Sequence, residues 1–115
     1  MKHSPVSIGN AEHYRWGEGC DGWHLVRTEA LSVIEERMPP LTSEQRHTHE
    51  RAHQFFYVLQ GELTLEIEGE GHLLTMGDGV EVVPGQTHQA LNRSKVDVRF
   101  IVTSQPASHG DRIDA

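Results

Sequence analysis

From Glu62 to Glu68 the chain alternates strictly, with Leu63, Leu65 and Ile67 on one side and Glu62, Thr64, Glu66 and Glu68 on the other. A period of two is the period of a β-strand, whose successive side chains point to opposite faces, so this segment predicts a strand buried on its apolar side only. Elsewhere the apolar runs are short and closely punctuated, which predicts many strands joined by turns rather than long helices. The expected strands cover 23–27, 31–38, 45–49, 54–60, 62–68, 72–76, 79–83, 88–92 and 96–103. Gly61, Gly69-Glu70-Gly71 and Gly77-Asp78-Gly79 supply tight reversals between them, so consecutive antiparallel pairing is expected. Short strands at near-regular spacing point to an all-β sandwich or barrel, and a barrel is preferred because closure removes exposed edges.

Composition narrows the class. A chain of 115 residues has the common size of one domain, so 1–115 is expected to form a single domain. With 36% hydrophobic and 23% charged residues it belongs among globular proteins. Its net charge of −7, with no dense Lys and Arg cluster, argues against nucleic acid and anionic membrane surfaces as partners. The residues Met1 to Asn10 contain no apolar stretch of signal-peptide type, and no later run approaches the roughly 20 apolar residues of a spanning helix, so a cytoplasmic location is expected. The segments 1–22 and 104–115 are polar and rich in turn residues, and are expected to be loose or packed on the surface. The lone cysteine, Cys20, has no internal disulfide partner and no CxxC context, and reads as an incidental thiol.

Histidine carries the candidate chemistry, through spacing rather than through the total of nine. His47 and His49 stand two residues apart on a predicted strand, so both imidazoles leave the same face and converge. Gln54 follows five residues after His49, which on an unbroken strand would place it on the opposite face. A reversal at Glu50-Arg51-Ala52 would instead start a new strand and return Gln54 toward the imidazoles. His53 competes with Gln54 for the third position.

The run His47-Thr48-His49, then Gln54, then Tyr57-Val58-Leu59-Gln60-Gly61-Glu62 resembles the first cupin motif, with glutamine where an acid is usual. Gly77-Asp78, then Pro84-Gly85-Gln86-Thr87-His88 and Asn92, resembles the second. Together they span about residues 45–92, and the chain is similar to small single-domain cupins of the conserved-barrel, RmlC-like type. The resemblance implies a double-stranded β-helix, or jelly-roll barrel, that often dimerises. It also implies one divalent metal ion, Zn, Fe, Ni, Cu or Mn, in the barrel mouth, held by His47, His49, Gln54 and His88. The register of the first motif, from Gln54 to Gly61, favours Gln54 over His53. A neutral amide in place of a carboxylate leaves the full charge on the ion, and it removes a group that could act as general base.

Other groups read more plainly. Phe56 is expected to face inward with Gln54, while Phe55 and Tyr57 face the other way and supply core or dimer packing. Glu35-Glu36 and the acids flanking Leu63 read as solvated faces. Ser108 to Arg112 either frays or folds over a barrel mouth, where Arg112 would offer a guanidinium fork to an anionic ligand. The function that fits is a metal-dependent enzyme acting on a small polar metabolite, a dioxygenase, isomerase or similar. The alternative is a non-catalytic module that binds a small molecule such as a sugar or an organic acid.

Overall fold

The structure is a computed structural model that describes residues 3–108 and 110–115. Every element is a strand: β1 Glu12–Trp16, β2 Cys20–Arg27, β3 Ser32–Met38, β4 His47–His49, β5 His53–Gln60, β6 Leu63–Ile67, β7 Glu70–Leu74, β8 Gly79–Val82, β9 His88–Leu91, β10 Val98–Gln105 and β11 Arg112–Asp114. They form a six-stranded sheet in the order β1-β2-β3-β10-β5-β8 and a five-stranded sheet in the order β11-β4-β9-β6-β7. The two sheets enclose the core of a double-stranded β-helix, the jelly-roll barrel.

Alternation decides which side chains enter that core. β6 buries Leu63, Leu65 and Ile67, as its sequence pattern requires, and β10 buries Val98, Phe100 and Val102. β5 turns Gln54, Phe56 and Val58 inward and His53, Phe55 and Tyr57 outward. Phe56 packs on Phe100, at 6.2 Å between ring centroids, in a cluster that also holds Met38, Leu65 and Val58. Burying such a side chain contributes about 1.5–3 kcal/mol, so a handful of these positions holds the two sheets together.

Pairing is antiparallel throughout, but it is consecutive only along β1-β2-β3 and between β6 and β7. β5 pairs with β10 and β8, and β4 with β9 and β11. This corrects the expectation of consecutive pairing: from β3 onward the chain changes sheet after every strand except β6, because a jelly roll closes by long connections rather than by hairpins alone. The crossing from β5 to β6 turns at Gly61, whose φ is +84° and whose Cα lies so near strand β10 that a Cβ would come 2.4 Å from the Asp97 carbonyl oxygen.

The two polar ends are strands. β1 pairs with β2 from Glu12↔His24 to Trp16↔Cys20, and β11 pairs with β4 from Arg112↔His49 to Asp114↔His47. Both lie at sheet edges and are largely exposed, which is why their sequences are polar and lack a clear period.

Candidate metal centre

β4 is three residues long and its alternation sends His47 and His49 inward, leaving Thr48 on the other face. His88 opens β9 and is the register partner of His47, so the third imidazole arrives from the neighbouring strand of the same sheet. The three side chains are 4%, 6% and 0% exposed, and one ring nitrogen from each lies within 4.8 Å of the other two.

Backbone carbonyls fix which nitrogen that is. The Nδ1–H of His47 donates to the Gln45 carbonyl at 2.8 Å, that of His88 to the Gln86 carbonyl at 3.0 Å, and that of His49 to the Asp111 carbonyl at 3.3 Å. Each Nε2 is then the lone-pair nitrogen, the form in which imidazole ligates a cation. The Pro84-Gly85 turn contributes directly, because Gly85 donates its N–H to the His49 carbonyl at 2.8 Å and so ties the loop before His88 to β4. Asn92, the last residue of the second motif, is structural: its side chain donates to the Met38 and Val96 carbonyls at 2.9 and 2.8 Å.

Gln54 and His53 part company. Gln54 is 5% exposed and donates its side-chain N–H to the Ser104 hydroxyl at 2.9 Å, which leaves its Oε1 buried without a partner. His53 points outward and pairs with Glu81 on β8. The break at Glu50-Arg51-Ala52 that returns Gln54 to the barrel interior is present, since β4 and β5 belong to different sheets. His88 Nε2 is likewise buried without a partner. Two lone-pair atoms left dry would each cost about 1–3 kcal/mol. A cation held by the three imidazoles would satisfy His88 Nε2, so the histidines present fit a metal ion.

Charge regulation suits the same role. Burial pushes His47 down to about 3, helped by the His88 and His49 rings and Arg112, and burial likewise lowers His49 and His88. All three imidazoles are therefore neutral near neutral pH, the form in which they could ligate a metal.

Beside the triad lies a cavity of about 280 Å³. His47, His49 and Gln54 border it on one side, Ile34, Phe56 and Val102 give it an apolar wall, and Tyr14, Glu36, Glu44 and Arg112 supply its polar groups. Burial, followed by repulsion from Glu44, raises the Glu36 carboxyl to about 8, and burial raises Glu44 to about 7 against the pull of Arg112. Glu44 also reaches to 3.5 Å of His47 Nδ1. Tyr14 is held above the ordinary phenol range by burial and by the two acids, and its ring fits because the opposite residue on β2 is Gly22.

These acids correct the reading of Glu35-Glu36 as a solvated pair. Glu35 is mostly covered and binds Arg99 at 2.6 Å, while Glu36 enters the cavity. The signal was present in the alternation, since Ile34, Glu36 and Met38 share one face of β3. Tyr14 was hidden because β1 has no apolar period. At the other end, Ser108, Gly110 and Arg112 border the cavity, as a tail folded over the mouth requires, while His109 lies outside the described residues. Arg112 spends hydrogen bonds on Asp114 and on the Gln45 carbonyl, at 3.0 and 3.1 Å.

Comparison with known proteins agrees with the fold. The family described as Cupin domain is matched over residues 34–104. The chain is similar to the oxalate-binding protein of Thermotoga maritima, at 24% identity over 107 residues that cover 88% of each protein. Among solved structures it is similar to KdgF from a Halomonas species, with a TM-score of 0.83 and 24% identity over 92% of this chain and 96% of that one. It is similar also to a predicted oxalate decarboxylase from Thermotoga maritima, with a TM-score of 0.83 and 20% identity over 90% of this chain and 100% of that one. At such identities the structural likeness shows the fold.

Proposed function

The chain belongs to the cupin domain family, and on that premise we propose that it is a metal-dependent enzyme acting on a small polar metabolite, a dioxygenase, isomerase or similar. The observation that carries the reading is the convergence of three carbonyl-oriented imidazoles within 4.8 Å of one another, with His88 Nε2 and the Gln54 oxygen both buried and without a partner. His47, His49, His88 and Gln54 hold one divalent ion, with Zn, Fe, Ni or Mn as candidates given the imidazole-rich set. Such an ion, when bound, polarises a substrate oxygen as a Lewis acid.

The rest falls to the chain. Ile34, Phe56 and Val102 exclude water from one side of the cavity, while Tyr14 and Arg112 orient polar groups of the ligand. Glu36 supplies the carboxyl that Gln54 lacks: raised to about 8, it is mostly protonated at neutral pH and gives or takes a proton there. Two carboxyls in the cavity favour an enzyme over a passive receptacle.

The alternative, a module that binds an organic acid without turning it over, draws support from the named relative, an oxalate-binding protein. One experiment separates them. Protein purified without a histidine tag is analysed for metal, then incubated with oxalate and with small sugars and sugar acids, following both heat of binding and chemical change. Ligand loss from metal-loaded protein supports the enzyme; saturable binding with quantitative recovery supports the module.

The proposal extends to a single-domain, cytoplasmic homodimer. The dimer part is supported by Phe55 and Tyr57, which are 45% and 39% exposed and stack at 6.3 Å on the outer face of β5. Light scattering at micromolar concentration is expected to give twice the chain mass, and a monomer would dismiss the dimer.

A further inference from the structure

Two of the three imidazoles are aimed by the residues that lead into their own strands, since His47 and His88 each donate to the carbonyl two residues before them. His49 is aimed from 62 positions away, by Asp111. The carboxylate of this same Asp111 accepts the backbone N–H groups of Glu50, Arg51 and Ala52 at 3.2, 3.0 and 2.8 Å. Those three residues are the turn that takes the chain out of β4 and into β5, from the paired histidines to Gln54. One tail residue thus orients a candidate ligand with its main chain and clamps the connection to another with its side chain.

The strand that follows has little of its own to hold it. Arg112, Ile113 and Asp114 are all exposed, and β11 pairs with β4 alone. The remaining attachments are hydrogen bonds: Ala115 donates its N–H to the Arg46 carbonyl at 2.9 Å, Gln45 donates its side-chain N–H to the Ala115 carbonyl at 3.3 Å, and Arg112 donates to the Gln45 carbonyl. An edge strand without buried apolar side chains opens at low cost, so a modest coupling shifts its docking strongly.

We infer that Asp111 is a positioning residue of the metal centre, and that docking of the tail strand and binding of a divalent ion at the histidines promote one another. The inference rests on the metal reading above. A cation on His49 Nε2 draws electron density from the ring and makes its Nδ1–H a better donor to the Asp111 carbonyl. Conversely, with the tail undocked, His49 loses its orienting acceptor and the turn before Gln54 loses its cap. Coupling between two equilibria is reciprocal, so each must favour the other equally. Ser108, Gly110 and Arg112 border the cavity, so the docked tail also completes the wall beside the ion.

The test uses the full chain and Co(II), whose visible absorption reports coordination. Asp111→Ala keeps the main-chain carbonyl but removes the carboxylate that caps the turn; by loosening the docking that holds this carbonyl against His49 it is expected to weaken Co(II) about ten- to a hundredfold, the range for disturbing an outer partner of a ligating histidine, and to change the absorption band. Asp111→Asn, which keeps one carbonyl acceptor for the turn, is expected to recover part of the loss. In the unaltered protein, saturating Co(II) is expected to slow amide hydrogen exchange at Ile113 and Ala115, a readout that needs no variant to fold. Equal affinity and an unchanged band in Asp111→Ala, with tail exchange indifferent to Co(II), would overturn the coupling while leaving the metal reading intact. Failure of the unaltered protein to bind Co(II) at all would overturn the metal reading and the coupling with it.

Discussion

Gln54 and Ser104 face one another across the β5–β10 ladder, and the amide of Gln54 donates to the Ser104 hydroxyl at 2.9 Å. That bond fixes the orientation of the amide. With its nitrogen spent on Ser104, the Gln54 oxygen is left in the interior as an acceptor with no donor, as is Nε2 of His88.

On the proposed metal reading, replacing Gln54 by Glu adds a negative charge beside the cation. Gln54→Glu is expected to tighten a hard divalent ion such as Mn(II) by tenfold or more, measured by competition with a chelator, because a carboxylate is the preferred oxygen donor for such ions. The same change is expected to destabilise the metal-free protein, since an unpaired buried carboxylate carries a desolvation cost. His53→Ala is expected to leave metal affinity unaltered, because His53 lies outside with Glu81. Affinity that follows His53 and ignores Gln54 would reverse the assignment.

For the histidines the expectation is uniform. His47→Ala, His49→Ala and His88→Ala are each expected to drop bound metal well below one ion per chain, and to abolish the rise in melting temperature that added metal gives the unaltered protein. Plasma emission spectroscopy with thermal melts reads both. Full metal content in all three variants would remove the centre from these residues.

Much of this was legible beforehand, and what was not has a physical reason. Strands buried on one face advertise themselves by alternation, and β6 with Leu63, Leu65 and Ile67 is the plain case. His47 and His49 were legible because an i, i+2 pair shares a face whatever the register, and Gln54 because the turn before it had to exist for the motif to close. β1 and β11 were not, because edge strands bury little and carry no period. The cavity acids fell between these cases: Glu36 occupies an inward position of β3, yet an inward acid next to an outward Glu35 looks like surface until the opposing sheet is placed over it. Glu44 lies outside the named strands, and only the crossing from β3 to β4 brings it to His47.

Gly61 gives a test of the barrel itself. Its φ of +84° is left-handed, and a Cβ there would press on the Asp97 carbonyl at 2.4 Å. Gly61→Ala is expected to lose at least about 1–2 kcal/mol, the cost of the left-handed conformation for a residue with a Cβ, with further loss from the backbone contact. Urea denaturation is expected to show a lower midpoint at an unchanged slope. An unaltered midpoint would mean that the β5–β6 crossing is looser than described.

Acidity and alkalinity pull the metal-free protein in opposite directions. The imidazole of His47 falls from 6.5 to about 3 on folding, so the folded state prefers it neutral. Its contribution is present above pH 6.5 and is lost as the pH falls toward 3, with His49 and His88 shifted in the same direction. The carboxyls run the other way. Glu36 rises from 4.5 to about 8 and Glu44 from 4.5 to about 7, so the folded state prefers them protonated. Their contribution is complete below pH 4.5 and is lost as the pH climbs to 7 for Glu44 and 8 for Glu36. Between 4.5 and 6.5 the two effects oppose one another, and outside that window each acts alone. Chelator-treated protein is therefore expected to be most stable in mildly acidic buffer, and to weaken on both sides. Glu36→Gln imitates the protonated acid at every pH, so it is expected to remove the part of the alkaline loss that runs up to pH 8, to keep the Glu44 part that ends near 7, and to leave the loss below pH 4.5 unaltered. Urea midpoints measured across pH 4 to 9 decide it: an alkaline slope that survives Glu36→Gln in full would take that carboxyl out of the cavity and put it back in water.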